Sequence, residues 1–130
     1  MLVVDANVAM ALGLASDGVQ HLLAEELVAP PLLWSERRST LHEAFWRHEI
    51  SMDRATRVRA FLRSDSLRAI DHPDLDDSAW HLAEQMGWAK TYDAEYVALA
   101  RLLECWRVTL DRALYRGTRR RGFVVAPEEI

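Results

Sequence analysis

LVVDANVAMALGLA, residues 2–15, decides the fold. Its first four residues are a short apolar run rich in valine and closed by an acid, Asp5, which is the length and composition of a buried strand. A helical pattern follows at once, with Gly13 inside it or near its end. The same grammar returns in CWRVTLD, residues 105–111, where a second short apolar run closes on Asp111. LRAID, residues 67–71, and FVVA, residues 123–126, read as further strands.

Helical patterns fill the intervals. DGVQHLLAEELV, residues 17–28, places Val19, Leu22, Leu23, Leu27 and Val28 on one stripe and reads as a helix broken by Pro30 and Pro31. Residues 32–50 and 51–64 read as two helices forming a hairpin, the second opened by Ser51 or Asp53. HPDLDDSAWHLAEQMGW, residues 72–88, begins with turn residues before a helix capped by one of its aspartates. TYDAEYVALA, residues 91–100, is an alanine-rich, buried helix with Asp93 at its head, and RALY, residues 112–115, is a short helix or turn. Short strands alternating with helices predict an α/β fold with a central, mainly parallel sheet flanked by helices, in one domain over residues 1–130.

Bulk properties narrow the function. Half of the 130 residues are hydrophobic and 28% are charged, the profile of a globular protein. No apolar run approaches the ~20 residues of a membrane span, and Met1 leads into LVVD without a basic leader, so a cytoplasmic protein with no membrane partner is expected. The lone Cys105 forms no internal disulfide and reads as a small buried thiol. A net charge of −4 argues against nonspecific coating of nucleic acid. Yet Lys90 is the only lysine, and Arg112, Arg116, Arg119, Arg120 and Arg121 crowd residues 111–122, where Arg112 and Arg116 are candidates for a substrate phosphate.

The acids organise the chemistry. In a parallel sheet the C-terminal strand ends share one edge, where ligands of open α/β sheets bind, so Asp5 and Asp111 are candidate neighbours. Asp93 joins them if its helix starts at that edge; taken alone it reads as a helix cap. Glu36 lies in the first turns of its helix and Glu43 seven residues later, about 10 Å further along the axis, so only one fits a compact cluster. The first-turn position favours Glu36, with Glu43 the alternative. Converging carboxylates need a cation, and hard oxygen donors without convergent His or Cys favour Mg²⁺ or Mn²⁺ and hence phosphodiester hydrolysis.

Other patterns carry less. HEAFW, from His42, lacks the second histidine of a zincin helix because position 46 is Trp46, and DHPDLDD, residues 71–77, lacks the glycine and glutamate of a calcium loop. The five tryptophans read as core or interface anchors, with Trp34 and Trp46 the first candidates for contact with a second copy or a partner helix.

LVVDANV, PPLLWSERRSTL, TYDAEYVALA and VTLD, in that order over the whole chain, resemble the four blocks of the PIN-domain family and are most similar to its VapC-type toxins of type II toxin–antitoxin pairs. The resemblance implies a three-layer fold with a protruding helical hairpin. It also implies a metal-dependent endoribonuclease whose acidic Mg²⁺ or Mn²⁺ site is formed by Asp5, Glu36, Asp93 and Asp111, with Asn7 and Thr109 as supporting polar residues. RNA is then the substrate, an antitoxin protein the partner, and a homodimer the usual assembly. Two departures stand out: Glu36 is followed by Arg37 and Arg38 where the family has an apolar residue, which predicts an exposed helix or a charged partner, and no acid follows Asp111, which favours one ion over two. Competing readings are a non-catalytic PIN-fold binding module and a phosphoaspartyl-transfer domain using Asp5.

Overall fold

The computed structural model describes residues 1–130 other than Arg119 and Arg121, so those two arginines of the basic tail lie outside the described residues. Five short strands form one sheet: β1 (Leu2–Val4), β2 (Leu27–Ala29), β3 (Leu67–Ala69), β4 (Trp106–Val108) and β5 (Val124–Val125). Their order is β3-β2-β1-β4-β5 and every pairing is parallel. Parallel neighbours require crossovers. These are supplied by α1 (Ala6–Gly13), α2 (Leu32–Trp46), α3 (Met52–Leu62), α4 (Leu75–Met86), α5 (Tyr92–Leu102) and α6 (Arg112–Thr118). The result is the α/β architecture with a parallel sheet that the alternation predicts, in the arrangement that the resemblance to PIN domains implies.

The core lies on both faces of the sheet. β1 and β2 are buried at every residue because helices cover both sides, and Val8, Leu12, Leu33, Val97 and Leu99 close over them. α5 packs across β1 and β4, and its run of buried residues from Tyr96 to Ala100 lets it lie close to the strands. On the other side α1 meets α3 at Gly13, where an added Cβ would stand 3.0 Å from the Val58 backbone. Gly13 therefore sets the separation of these two helices.

The α2–α3 hairpin is present. Ser51, not Asp53, caps α3 by accepting the Arg54 N–H at 3.2 Å. Trp34, a candidate interface residue, is half-buried and donates its indole N–H to the Leu62 carbonyl at 2.7 Å, tying the two helices together. Trp46 at the end of α2 is 76% exposed and remains available to a partner.

Three further expectations are corrected. Residues 17–28 do not form one helix: Gln20–Ala24 makes a 3-10 turn with Leu23 exposed, and Leu27–Ala29 becomes β2. Pairing with β1 and β3 on both sides wins over the helical stripe because a central strand satisfies its backbone and buries both faces. Asp74 occupies the N-cap position of α4 but makes no side-chain cap bond. Nor does the Glu36-Arg37-Arg38 run expose α2 throughout: Arg38 is exposed, but Arg37 is buried against α1, with Nη1 on the Ala6 carbonyl and the Met10 sulfur and Nη2 on Thr40. Among the described residues no helix is long and apolar enough to cross a membrane.

Candidate active site

The chain leaves β1 toward β2 and β3 on one side and later returns to β4 and β5 on the other, so the order reverses between β1 and β4. Ligands of open α/β sheets bind outside the strand ends at such a switch point. The register that pairs Val4 with Val108 places the next residues, Asp5 and Thr109, side by side there.

Asp5 is only 6% exposed, and both of its oxygens are engaged. Oδ1 caps α1 by accepting the N–H groups of Asn7 and Val8 at 3.1 and 3.0 Å. Oδ2 accepts the Thr109 hydroxyl at 2.7 Å and Nη2 of Arg107 at 3.3 Å. Thr109 Oγ1 in turn accepts the Asp111 N–H at 3.1 Å, so this one hydroxyl ties the two strand-terminal acids together. Asp111 is exposed and uses Oδ1 to cap α6 through the N–H groups of Ala113 and Leu114.

Asp93 reaches the same edge because α5 begins there. It does not cap the helix: Thr91 holds that position, and Asp93 Oδ1 instead accepts Arg107 Nη2 at 3.1 Å. Three residues on, the Tyr96 hydroxyl donates to Glu36 Oε2 at 2.8 Å and draws the first half of α2 to the cluster. Burial first, and the hydrogen bond to Glu36 second, push the Tyr96 phenol well above its ordinary range, so Tyr96 stays a donor. Glu43 does not take part and pairs with Arg47 on the exposed face of α2 at 2.6 Å. Asn7 lies exposed at the rim with its backbone N–H on Asp5.

Two arginines and a tyrosine complete the centre, none of them anticipated as site residues. Arg107 is 1% exposed and projects from β4 beneath α5. Its Nη1 donates to the Asp93 carbonyl at 3.0 Å, its guanidinium lies 5.1 Å from the Tyr96 ring centre, and its Nε has no hydrogen-bond partner among the described residues. The signal was an arginine inside CWRVTLD: a charge in a parallel strand covered on both faces must find partners indoors. Arg37 sits behind Glu36, where burial draws its guanidinium down from the ordinary value against the raising pull of Glu36, Tyr96 and Asp5.

Over 116 residues, 88% of each chain, the sequence is 34% identical to VapC ribonuclease Mb0985 from Mycobacterium bovis and to ribonuclease VapC9 from Mycobacterium tuberculosis. The chain belongs to the VapC ribonuclease family. No protein-family model matches this VapC-family chain. Its fold recurs in PAE2754 from Pyrobaculum aerophilum, with a TM-score of 0.72 and 24% identity over 98% of this chain and 90% of that one. It recurs also in a toxin–antitoxin complex from Klebsiella pneumoniae, with a TM-score of 0.70 and 21% identity over the full length of both chains.

In this VapC-family chain two concavities flank the acids. One, of 260 Å³, lies between β4 and the C-terminal turn and is lined by Asp111, Arg112, Tyr115, Arg116 and Glu128. Arg112 and Arg116 are thus gathered beside Asp111 rather than at Asp5. The other, of 550 Å³, lies between the starts of α2, α4 and α5 and carries Glu95, Asp76 and Trp80. Burial, followed by the charges of Asp76 and Glu36, raises the Glu95 carboxyl above its ordinary value.

Proposed function

We propose that this protein is a Mg²⁺- or Mn²⁺-dependent endoribonuclease, the toxin of a type II toxin–antitoxin pair, which hydrolyses RNA phosphodiester bonds at the carboxylate edge between β1 and β4. The observation that carries the reading is the convergence of Asp5, Asp93, Glu36 and Asp111 on that edge through Arg107, Thr109 and Tyr96, in a chain of the VapC ribonuclease family.

The donor chemistry fits a hard divalent ion, since carboxylate and hydroxyl oxygens surround the edge without a thiol or imidazole. The fit is not complete in this arrangement. Among the described residues no group of three or more His, Cys, Asp or Glu side chains is arranged to hold a metal, and a nitrogen of Arg107 stands between Asp5 and Asp93. Asp5, Asp93 and Asp111 are the proposed holders of one ion, with Glu36 as a further ligand or as the group that takes the proton of the attacking water. When bound there, such an ion would supply water activation and charge stabilisation for in-line attack on a phosphoryl group. Tyr96 would orient Glu36 through its hydroxyl, and Arg112 and Arg116, which line the concavity beside Asp111, are the proposed contacts for a phosphate of the RNA. An antitoxin protein is the proposed partner, and exposed Trp46 is the proposed anchor of a homodimer.

The test is induced expression in cells of the wild type and of Asp93→Asn at equal folded yield. Growth arrest by the wild type alone supports the toxin reading. Normal growth with both, alongside tight partner binding and no RNA cleavage, points to a binding module that keeps the fold without turnover.

A further inference from the structure

One nitrogen of Arg107 touches two carboxylates from different elements, Asp5 on the β1–α1 junction at 3.3 Å and Asp93 on α5 at 3.1 Å. The position where those two acids must share a positive charge is therefore already filled from within the chain. Arg107 is not a mobile surface arm. It issues from the sheet, paired in register with Val3 and Val124, its guanidinium lies against the Tyr96 ring, and its Nη1 is fixed on the Asp93 backbone.

The two carboxylates are held unequally. Asp5 is 8% exposed at its side chain and anchored by two backbone N–H groups and a hydroxyl, whereas Asp93 is 60% exposed at its side chain and its carboxylate is held by Arg107. A cation approaching from solvent meets Asp93 first and can turn it away from Arg107. The buried guanidinium, with its Nε already unpartnered, then stands as a positive charge against the incoming one.

We propose that Arg107 is the resident counter-cation of the acidic edge, and that a divalent ion binds there in exchange for the contact between the guanidinium and the two carboxylates. Arg107 then sets the ion concentration at which the centre becomes competent. At low ion concentration the arginine offsets one of the two carboxylate charges and leaves the pair one charge negative. This inference rests on the metal-dependent reading above and assigns to that site a positioning residue from outside its acids.

The test is Mn²⁺ binding by calorimetry and by electron paramagnetic resonance on the full chain as wild type, Arg107→Met and Arg107→Lys. Methionine removes the charge and keeps much of the volume; lysine keeps a point charge. Arg107→Met is expected to bind Mn²⁺ at least about tenfold more tightly than the wild type, because one like charge has left the site. Arg107→Lys should stay within about threefold of the wild type. Equal or weaker binding by folded Arg107→Met overturns this proposal alone, while binding by neither protein overturns the metal-dependent reading and this proposal with it. Should Arg107→Met not fold, the wild-type guanidinium resonances decide: a shift of the Arg107 signals on Mg²⁺ saturation is expected, and unchanged signals at saturation overturn the exchange.

Discussion

Asp5→Asn should destabilise the fold, and removing Arg107 as well should recover much of the loss. Asparagine caps helices about as well as aspartate, and its side-chain oxygen can serve either the α1 N–H groups or the Thr109 hydroxyl. It cannot supply the negative charge that Arg107 meets at 3.3 Å. Breaking a buried ion pair from one side costs about 3–5 kcal/mol, because the remaining charge is stranded. Asp93 still accepts from the same nitrogen, at 3.1 Å, so roughly 2–3 kcal/mol is the expected cost here. Replacing both partners removes the stranded charge, and such replacements are often neutral. Urea unfolding of the wild type, Asp5→Asn, Arg107→Met and the double variant, all in EDTA, closes the cycle. The double variant should be more stable than the sum of the single losses predicts by about 1.5 kcal/mol or more. Additivity to within about 0.5 kcal/mol would show that Asp5 and Arg107 are not energetically coupled and would refute the electrostatic account of the edge.

Gly13→Ala should lower the melting temperature by several degrees in a thermal scan, since overpacking against the Val58 backbone at 3.0 Å costs about 1–3 kcal/mol and the helix-propensity gain returns at most about 1 kcal/mol. Glu95→Gln should raise the melting temperature near neutral pH. The folded carboxyl lies above its ordinary value of 4.5, so its favourable contribution is complete below that value and is lost as pH rises through the folded value. The gain should therefore vanish below about pH 4, and a gain that persists there would contradict the assignment. Trp46→Ala, at a position 76% exposed, should change monomer stability by no more than about 0.5 kcal/mol while weakening self-association in sedimentation experiments. Unchanged association would remove Trp46 from the dimer proposal.

The parts of the fold legible in the sequence are those where one short-range pattern agrees with the tertiary environment. LVVD and CWRVTLD each join a strand-sized apolar run to a terminal acid, and both acids lie where the parallel sheet brings its C-terminal ends together. β2 was hidden because Leu27 and Val28 continue a helical stripe that begins at Val19, and only the strands on either side make the extended form preferable. Helix geometry favoured Glu36 over Glu43, and it is Glu36 that accepts the Tyr96 hydroxyl while Glu43 pairs with Arg47. Arg107 and Tyr96 escaped notice for a common reason. An arginine in a strand and a tyrosine in an alanine-rich helix each look ordinary until packing places the guanidinium against the phenol ring and between two carboxylates.

Cleavage of RNA by the purified protein, with Mg²⁺ or Mn²⁺, with EDTA, and with Asp93→Asn, tests the central claim most directly. Asp93 is a cleaner probe than Asp5, because its side chain is 60% exposed and its amide counterpart can still accept from Arg107. The variant should lose no more than about 1–2 kcal/mol in urea unfolding, because Asp5 still pairs with the buried guanidinium and the Asp93 carboxylate is itself largely exposed. The account predicts cleavage by the wild type with the ion, and loss of cleavage both in EDTA and in the folded Asp93→Asn variant. Cleavage that survives EDTA and the substitution alike would contradict it.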